Sequence, residues 1–423
     1  HYGRLNHTNI YNIRDCAIGK DGETINFDKK NFNIVEKEYN KLLKKKLKGR
    51  GVQKEKTTDK YFEVSTFSPK VGSVNIQSQK DDKKKTTFAT ISSFFKNKDV
   101  KRIINWFYEE NIHAIKRLTT ITFGSSGIET PLGPVTIQHI GSAYEKLKNI
   151  ENLIQKETNE YQILAQLNNQ YYSMIPHPFG AKIPKNSFID NDEKLIEEYE
   201  LLDQLKTAVQ AGKKDNAKSN LNALGIEIEP LTNKREYNSI KEQFLDNRSQ
   251  HHMDEYKNYK IKKIYTLQNN SVTKKFKQKG ESLPPVYNLW HGSKNCNILS
   301  IIINGLIVPP YNAGHVTGRK FGNGIYAGSS STKSLNYSTG CYNETTKYQS
   351  NNKSFFLFLV KFGMGNIFDT FYETPQGPPK GYNSIWAHTK TEENEGELLD
   401  DEFIVYDPGQ AKVTHLIELR KVV

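Results

Sequence analysis

Leu289-Trp290-His291-Gly292-Ser293 closes a short apolar and aromatic run, and Phe321-Gly322-Asn323-Gly324-Ile325-Tyr326 follows it. Thr332-Lys333-Ser334-Leu335-Asn336-Tyr337 comes next, and Glu402-Phe403-Ile404-Val405-Tyr406-Asp407 stands near the carboxyl end. Around these stretches Ile261–Leu267, Tyr287–Trp290, Phe355–Val360, Phe403–Tyr406 and Thr414–Leu419 are rich in β-branched and aromatic residues. Gly, Pro and Asn clusters separate them, which predicts short strands. A helix is expected after Asn295, with Ile298, Ile301 and Ile302 on one face and its end near Gly305. Residues 231–423 therefore read as an α+β domain built on a sheet. Gly363-Met364-Gly365 follows an apolar run, but Phe368 stands where a dinucleotide fingerprint needs its third glycine, and no amphipathic helix follows. A Rossmann-type site is not supported.

Upstream, residues 86–219 change character. Thr130-Pro131-Leu132-Gly133-Pro134 reads as a Pro-rich helix start, and Ile137, Ile140, Tyr144, Leu147 and Ile154 recur at helical spacing behind it. Ile163, Leu167, Tyr171 and Met174 make a second helix, stopped by Ile175-Pro176-His177-Pro178. Leu195, Tyr199, Leu202, Leu205 and Val209 make a third, closed by Gly212, with the polar segment Lys213–Ser219 as a joint. The stripes are packing faces of an expected helical bundle. Residues 1–76 form a third stretch. It contains a turn at Gly19-Lys20-Asp21-Gly22, a helix carrying Phe32, Val35, Tyr39 and Leu43, and a basic run from Lys44 to Arg50. Strands are expected at Tyr61–Val64 and Val71–Ile76, before a charged linker at Gln77–Lys85.

The chain has 423 residues, enough for two or three cores, and a formal charge of +13 from 60 basic and 47 acidic residues. Such a balance suits a polyanionic partner, because lysines and arginines replace condensed counterions, or it serves solubility alone. The 3 cysteines, Cys16, Cys296 and Cys341, are far apart; neither a disulfide framework nor a zinc site is expected, and a reducing compartment fits. No apolar run long enough for a membrane span and no signal peptide is visible. The sequence opens at His1 without an initiator Met, so a trimmed chain is expected.

Taken together and in this order, the four stretches of residues 289–407 resemble the catalytic domain of the poly(ADP-ribose) polymerases, in the branch that uses a His-Tyr-Glu triad. The resemblance takes in Asn297, Val316-Thr317-Gly318 and the last strand. Residues 130–147 and 171–180 are similar to the helical regulatory domain of the DNA-dependent members, and Tyr2-Gly3-Arg4 to the core of a WGR domain, with Tyr in place of Trp. The implied architecture is α+β and multidomain: a small WGR-like domain (1–76), an all-α regulatory bundle (86–219) and a mixed-sheet ADP-ribosyltransferase domain (231–423).

The resemblance implies that NAD⁺ is a substrate and that no metal is needed. It assigns His291, Tyr326, Glu402 and Lys333 to catalysis. It assigns His291, Gly292, Ser293, Tyr326, Ser334 and Tyr337 to NAD⁺ binding: the Gly292 backbone and Ser334 hydroxyl on the carboxamide, Tyr337 and Tyr326 on either side of the ring, His291 on the adenosine ribose and Ser293 toward the adenosine end. Glu402 is implied to bond the nicotinamide ribose and to polarise the attacking hydroxyl during elongation. Tyr2 and Arg4 are implied to contact DNA breaks or ends, and the basic run Lys44–Arg50 either meets phosphates or is a solvated helix end. DNA-stimulated poly(ADP-ribose) synthesis on protein acceptors, itself included, in the nucleus and in DNA repair, is the implied function, with an accessory factor able to set acceptor choice. Two alternatives stay open: a mono(ADP-ribosyl)transferase limited by the segment Glu373–Asp400, and a DNA-end-binding scaffold whose transferase is inactive.

Overall fold

A computed structural model describes residues 2–5, 10–15, 23–28, 41, 95–124, 127–130, 133–156, 161–179, 183–211, 225–252, 256–308, 320–339, 354–394, 396 and 398–422. The chain divides into two compact units, one of residues 1–86 and 116–195, the other of residues 87–115 and 196–423.

The first unit opens with β1 (Tyr2–Leu5), β2 (Ile10–Asp15) and β3 (Glu23–Asp28), an antiparallel sheet in the order β1-β2-β3. Tyr2 and Arg4 lie on β1, opposite Arg14 and Asn12. The turn at 19–22, the basic run 44–50, the strands at 61–64 and 71–76 and the linker 77–85 lie outside the described residues, as does the helix expected from Phe32 to Leu43 apart from Lys41.

Helix α1 (Lys98–Leu118) begins where Asn97 Oδ1 accepts the backbone N–H groups of Asp99 and Val100 at 2.9 and 3.3 Å. A small antiparallel sheet follows, β4 (Thr122–Gly124), β5 (Gly127–Thr130) and β6 (Gly133–Pro134). This corrects the expectation of helix alone across residues 86–219. Gly133 and Pro134 pair with Thr130 and Glu129 as a strand, and α2 (Ile137–Gln155) starts only at Thr136, whose hydroxyl caps it by accepting from His139 N at 3.1 Å. Helices α3 (Tyr161–Met174) and α4 (Asp192–Ala211) match the other two predicted stripes. Within this unit Asn168 is fully buried and satisfied on both sides of its amide: Nδ2 donates to Ile189 O and Oδ1 accepts from Ile189 N at 2.8 Å.

The second unit is a nine-stranded sheet. Its strands are β7 (Ile226–Pro230), β8 (Tyr259–Asn269), β9 (Val286–Gly292), β10 (Ile325–Gly328), β11 (Ser354–Gly363), β12 (Ile367–Thr370), β13 (Ser384–Ala387), β14 (Glu402–Val405) and β15 (Ala411–Lys421). They run in the order β12-β13-β14-β10-β9-β11-β15-β8-β7, antiparallel except for β12 with β13. Among the described residues α5 (Lys234–Asp246), α6 (Asn270–Gln278), α7 (Asn295–Asn304) and α8 (Ser331–Thr339) belong to it, together with residues 98–115 of α1 and 196–211 of α4. All five predicted strands are present, each shifted by a residue or extended. Strands β10, β12 and β13 are too short for a period to show, whereas β7 alternates as Ile226-Glu227-Ile228-Glu229 and escaped the sequence reading although the pattern is there. After Gly363 comes a turn and strand β12, so no phosphate-binding helix follows the Gly-Met-Gly segment.

Both faces of the sheet are covered, which explains the continuous apolar runs of its central strands. Phe356, Phe358, Val360 and Phe362 of β11 pack with Val100, Ile103, Ile104 and Phe107 of α1 and with Ile298, Ile301 and Ile302 of α7. The alternate residues Leu357 and Leu359 turn to the other face, with Trp290, Ile240 and Phe244 of α5 and Leu335 of α8.

Residues 98–115 of α1 are also held to the sheet by charge. Glu418 of β15 is fully buried and accepts from Arg102 Nη2 at 2.9 Å, Lys262 Nζ at 2.8 Å, Ser354 Oγ at 3.1 Å and Tyr265 OH at 3.2 Å. Asp99 pairs with Lys263 beside it. Burial pushes the Glu418 carboxyl up, but Lys262 and Arg102 outweigh it and hold the group below its ordinary value of 4.5. A carboxylate with a depressed folded-state pKa contributes stability that is present above the unfolded value and lost as pH falls through the folded one. Melting temperature should therefore drop as pH falls below 4.5, and Glu418→Gln should be less stable at neutral pH but flatter across that acid range. Parallel slopes for the two proteins in a melting series would contradict this.

Candidate active site

Three antiparallel strands set the frame. Gly328 of β10 stands opposite both Trp290 of β9 and Glu402 of β14, so the ends of these strands form one row across the sheet. Adjacent strands lie ~4.8 Å apart. That brings His291, at the end of β9, and Glu402, at the start of β14, to opposite sides of β10.

Helix α8 closes over this row because Gly292 has no side chain. A Cβ there would stand 1.7 Å from the main-chain oxygen of Ser334. With hydrogen in that place, Ser334 Oγ reaches Trp290 O at 3.0 Å and Ser338 Oγ reaches Phe356 O at 2.6 Å, so α8 is stitched to the two central strands. Since its proton is spent on Trp290, the Ser334 hydroxyl offers lone pairs to the space in front of it.

His291 is half-buried, and desolvation of its ring holds the imidazole below the ordinary value of 6.5. Its Nδ1 lies 2.8 Å from Tyr326 O, a carbonyl that only accepts, so Nδ1 carries the proton and Nε2 of the neutral ring remains an acceptor. Tyr326 is fixed at its hydroxyl, which donates to Gly322 O at 2.7 Å and accepts from Phe321 N at 3.2 Å. Tyr406 secures the same turn by donating to Phe321 O.

Glu402 Oε1 stands 2.8 Å from Lys333 Nζ, with the side chains 13% and 10% exposed. The Lys333 ammonium also donates to Asp400 O at 2.8 Å. A pair this sheltered is geometrically fixed, and removing one partner leaves the other charge stranded, at a cost of about 3–5 kcal/mol for a fully buried pair.

These groups surround one cavity of about 350 Å³, lined by His291, Gly292, Ser293, Tyr326, Lys333, Ser334, Tyr337 and Glu402. The eight residues assigned to catalysis or NAD⁺ binding in residues 231–423 thus meet at one place, with Tyr337 exposed at the rim, while Val316-Thr317-Gly318 lies outside the described residues. Tyr2 and Arg4 belong to the first unit. Among the described residues no cluster of three or more His, Cys, Asp or Glu could hold a metal, and no helix is long and apolar enough to cross a membrane.

On α4, three lining residues escaped the sequence reading: Glu200, Asp203 and Gln204. Gln204 Nε2 donates to Asn297 Oδ1 at 3.1 Å, and Lys294 Nζ pairs with Glu200 at 2.9 Å. Their i, i+3, i+4 spacing marks one helical face, but acidic helix faces are ordinary solvated surface, so sequence alone gives no reason to aim this one at a pocket.

Residues 97–232 match the family model described as the poly(ADP-ribose) polymerase regulatory domain, and residues 234–421 match the poly(ADP-ribose) polymerase catalytic domain. Among curated proteins, the chain is 26% identical over 324 residues to poly [ADP-ribose] polymerase 1 of Gallus gallus, covering 69% of this chain and 31% of that protein. It is 26% identical over 413 residues to poly [ADP-ribose] polymerase of Drosophila melanogaster, covering 86% and 39%. It is 28% identical over 334 residues to poly [ADP-ribose] polymerase 2 of Arabidopsis thaliana, covering 70% and 50%. The chain thus spans between 31% and 50% of the length of these relatives.

The close approach at Gly292 gives a paired prediction. Gly292→Ala forces Ser334 O to move from 1.7 Å, whereas at Gly328 the nearest atom to an added Cβ is Ser334 Oγ at 3.5 Å, an ordinary contact. Overpacking of this kind costs about 1–3 kcal/mol. Gly292→Ala should lower the melting temperature clearly and Gly328→Ala much less; equal shifts would refute the claim that α8 seats on Gly292.

Proposed function

The chain belongs to the poly(ADP-ribose) polymerase family, and on that footing we propose that it cleaves NAD⁺ and transfers ADP-ribose to protein acceptors, itself included, elongating the product to poly(ADP-ribose). The observation that carries this reading is the convergence of His291, Tyr326, Lys333, Ser334, Tyr337 and Glu402 on one cavity. The bond between nicotinamide and ribose C1′ breaks with its electron pair leaving on nicotinamide, and positive charge develops on the ribose. An acceptor oxygen then bonds to C1′ and gives up its proton.

Each group has a part suited to its geometry. The Gly292 backbone and the lone pairs of Ser334 hold the carboxamide, while Tyr326 and Tyr337 confine the ring. His291 Nε2 accepts from a hydroxyl of the adenosine ribose, and Ser293 lies toward that end. Glu402 faces the developing cation, bonds the ribose 2′-hydroxyl and takes the acceptor's proton, with Lys333 holding the carboxylate in place. A carboxylate that supports bond cleavage and acts as base toward a hydroxyl acceptor favours elongation over single addition.

Regulation follows from α4. Glu200, Asp203 and Gln204 take up one side of the cavity, so a substrate as large as NAD⁺ must displace or reorder them. DNA strand breaks or ends are the proposed trigger, with Tyr2 and Arg4 as contacts, supported by the charge of +13 and the match to the regulatory domain. Nuclear localisation, a role in DNA repair and an accessory factor for acceptor choice complete the proposal.

The direct test is incubation with labelled NAD⁺, with and without a nicked 5′-phosphorylated duplex, followed by a sizing gel. A ladder that grows with DNA is expected, and Glu402→Gln should collapse it to single additions or nothing. A full ladder from Glu402→Gln would remove that residue from its role, and a single band from the unaltered chain would favour the mono(ADP-ribosyl)transferase.

Loosening α4 tests the gate without deleting a helix whose neighbours are core. Gln204→Ala combined with Glu200→Ala removes the bonds to Asn297 and Lys294. The NAD⁺ KM measured without DNA should fall in that variant and approach the DNA-bound value. An unchanged KM would mean that α4 does not restrict entry.

A further inference from the structure

Behind the Lys333–Glu402 pair stands a second carboxylate that the transferase reading does not use. Asp400 lies two residues before Glu402 and is 9% exposed. Its main-chain oxygen accepts the Lys333 ammonium at 2.8 Å. Its side-chain Oδ2 is buried, with no hydrogen-bond partner among the described residues, and His252 Nε2 stands 3.6 Å from it. That separation is too long for a hydrogen bond and within reach of an ion pair once the ring is protonated.

The fold fixes the ring there. Gln250–His252 is a single 3₁₀ turn beyond α5. Ser249 N–H donates to Thr332 Oγ1 at 2.8 Å, Ser331 N–H to Asn247 O at 2.9 Å and Ser331 Oγ to Phe244 O at 2.8 Å. These bonds strap residues 244–252 to the first turn of α8, the helix that carries Lys333. Asn336 of the same helix sets its amide nitrogen 3.3 Å from both ring nitrogens.

One ammonium and two carboxylates therefore share a sheltered corner. The Lys333 ammonium already donates to Glu402 and to Asp400 O, so an Asp400 carboxylate turned toward it would compete for its one remaining N–H and draw it off Glu402. We propose that His252 is a positioning residue, which holds the Asp400 carboxylate away from Lys333 so that the ammonium stays on Glu402. The inference rests on the transferase reading of this site. Without His252, Asp400 swings to Lys333, and Glu402 loses the partner that orients it. The groups that hold NAD⁺, on β9 and in Ser334, keep their places.

The test compares the unaltered chain, His252→Gln, and His252→Gln with Asp400→Asn, by steady-state transfer from labelled NAD⁺. His252→Gln should lower kcat by roughly ten- to a hundredfold, the scale of a catalytic group misplaced by about an ångström, with KM for NAD⁺ unchanged. Adding Asp400→Asn should recover most of the loss, because an amide does not compete for the ammonium. A kcat unaffected by His252→Gln overturns the inference, as does a loss that Asp400→Asn fails to relieve in a double variant that melts like the unaltered chain. A crystal structure of His252→Gln reads the same point without turnover: Asp400 should sit on the Lys333 ammonium, and a carboxylate still turned away overturns the proposal. Absence of transfer by the unaltered chain would count against the transferase reading, and the crystallographic result then decides this inference alone.

Discussion

Nothing larger than hydrogen fits on the α-carbon of Gly292, and the geometry of the site follows from that restriction. Because the strand end is bare, the carbonyl of Ser334 lies where a methyl group would otherwise be, 1.7 Å from an ideal Cβ. Helix α8 can then seat on β9 and β11 with its own hydroxyls as the fastening. One short helix thereby delivers Lys333, Ser334 and Tyr337 to the same cavity, and Lys333 reaches across it to Glu402 on the far side of β10. The α8 side of the cavity is thus set by one close contact, and Glu402 by the pairing of β14 with β10.

A second dependence runs through the opposite face. Residues 98–115 precede the sheet by a long stretch of sequence, yet they share its core and supply Arg102 to the buried Glu418. Burying a carboxylate costs far more than exposing it, so the hub holds only while its donors are in place. Helix α4 is tied differently, through the half-exposed Lys294–Glu200 pair and the Gln204 amide. Exposed pairs of this sort contribute only about 0–1 kcal/mol. Only this polar edge of α4 is weakly held: Leu202, Leu205 and Ala208 of the same helix are fully buried and Ala211 joins the core of the sheet.

The parts of this that were legible in the sequence share a physical cause. Strands β8, β9, β11, β14 and β15 are long enough, or apolar enough on both faces, to declare themselves, and α2, α3 and α4 carry regular stripes. The eight cavity residues of the catalytic stretch were found through their order along the chain, since a single His, Tyr or Glu is chemically unremarkable in isolation. What stayed hidden depends on tertiary approach. Strands β10, β12 and β13 have four residues each, too few for a period to show. The face of α4 that lines the cavity looks like any acidic surface, and His252 gains its meaning only where α5 is strapped to α8. The expected features between residues 29 and 94 lie, apart from Lys41, outside the described residues.

The central claim is that this cavity breaks the bond between nicotinamide and ribose and passes the remainder to a protein. NAD⁺ labelled with one isotope in the nicotinamide ring and another in the adenylate reports both events at once. The account predicts that free nicotinamide appears while the adenylate label becomes protein-bound, and that both signals disappear together when Lys333 and Glu402 are replaced. Release of nicotinamide with the adenylate label left wholly in solution would show hydrolysis rather than transfer, and intact NAD⁺ in the presence of DNA would contradict the account outright.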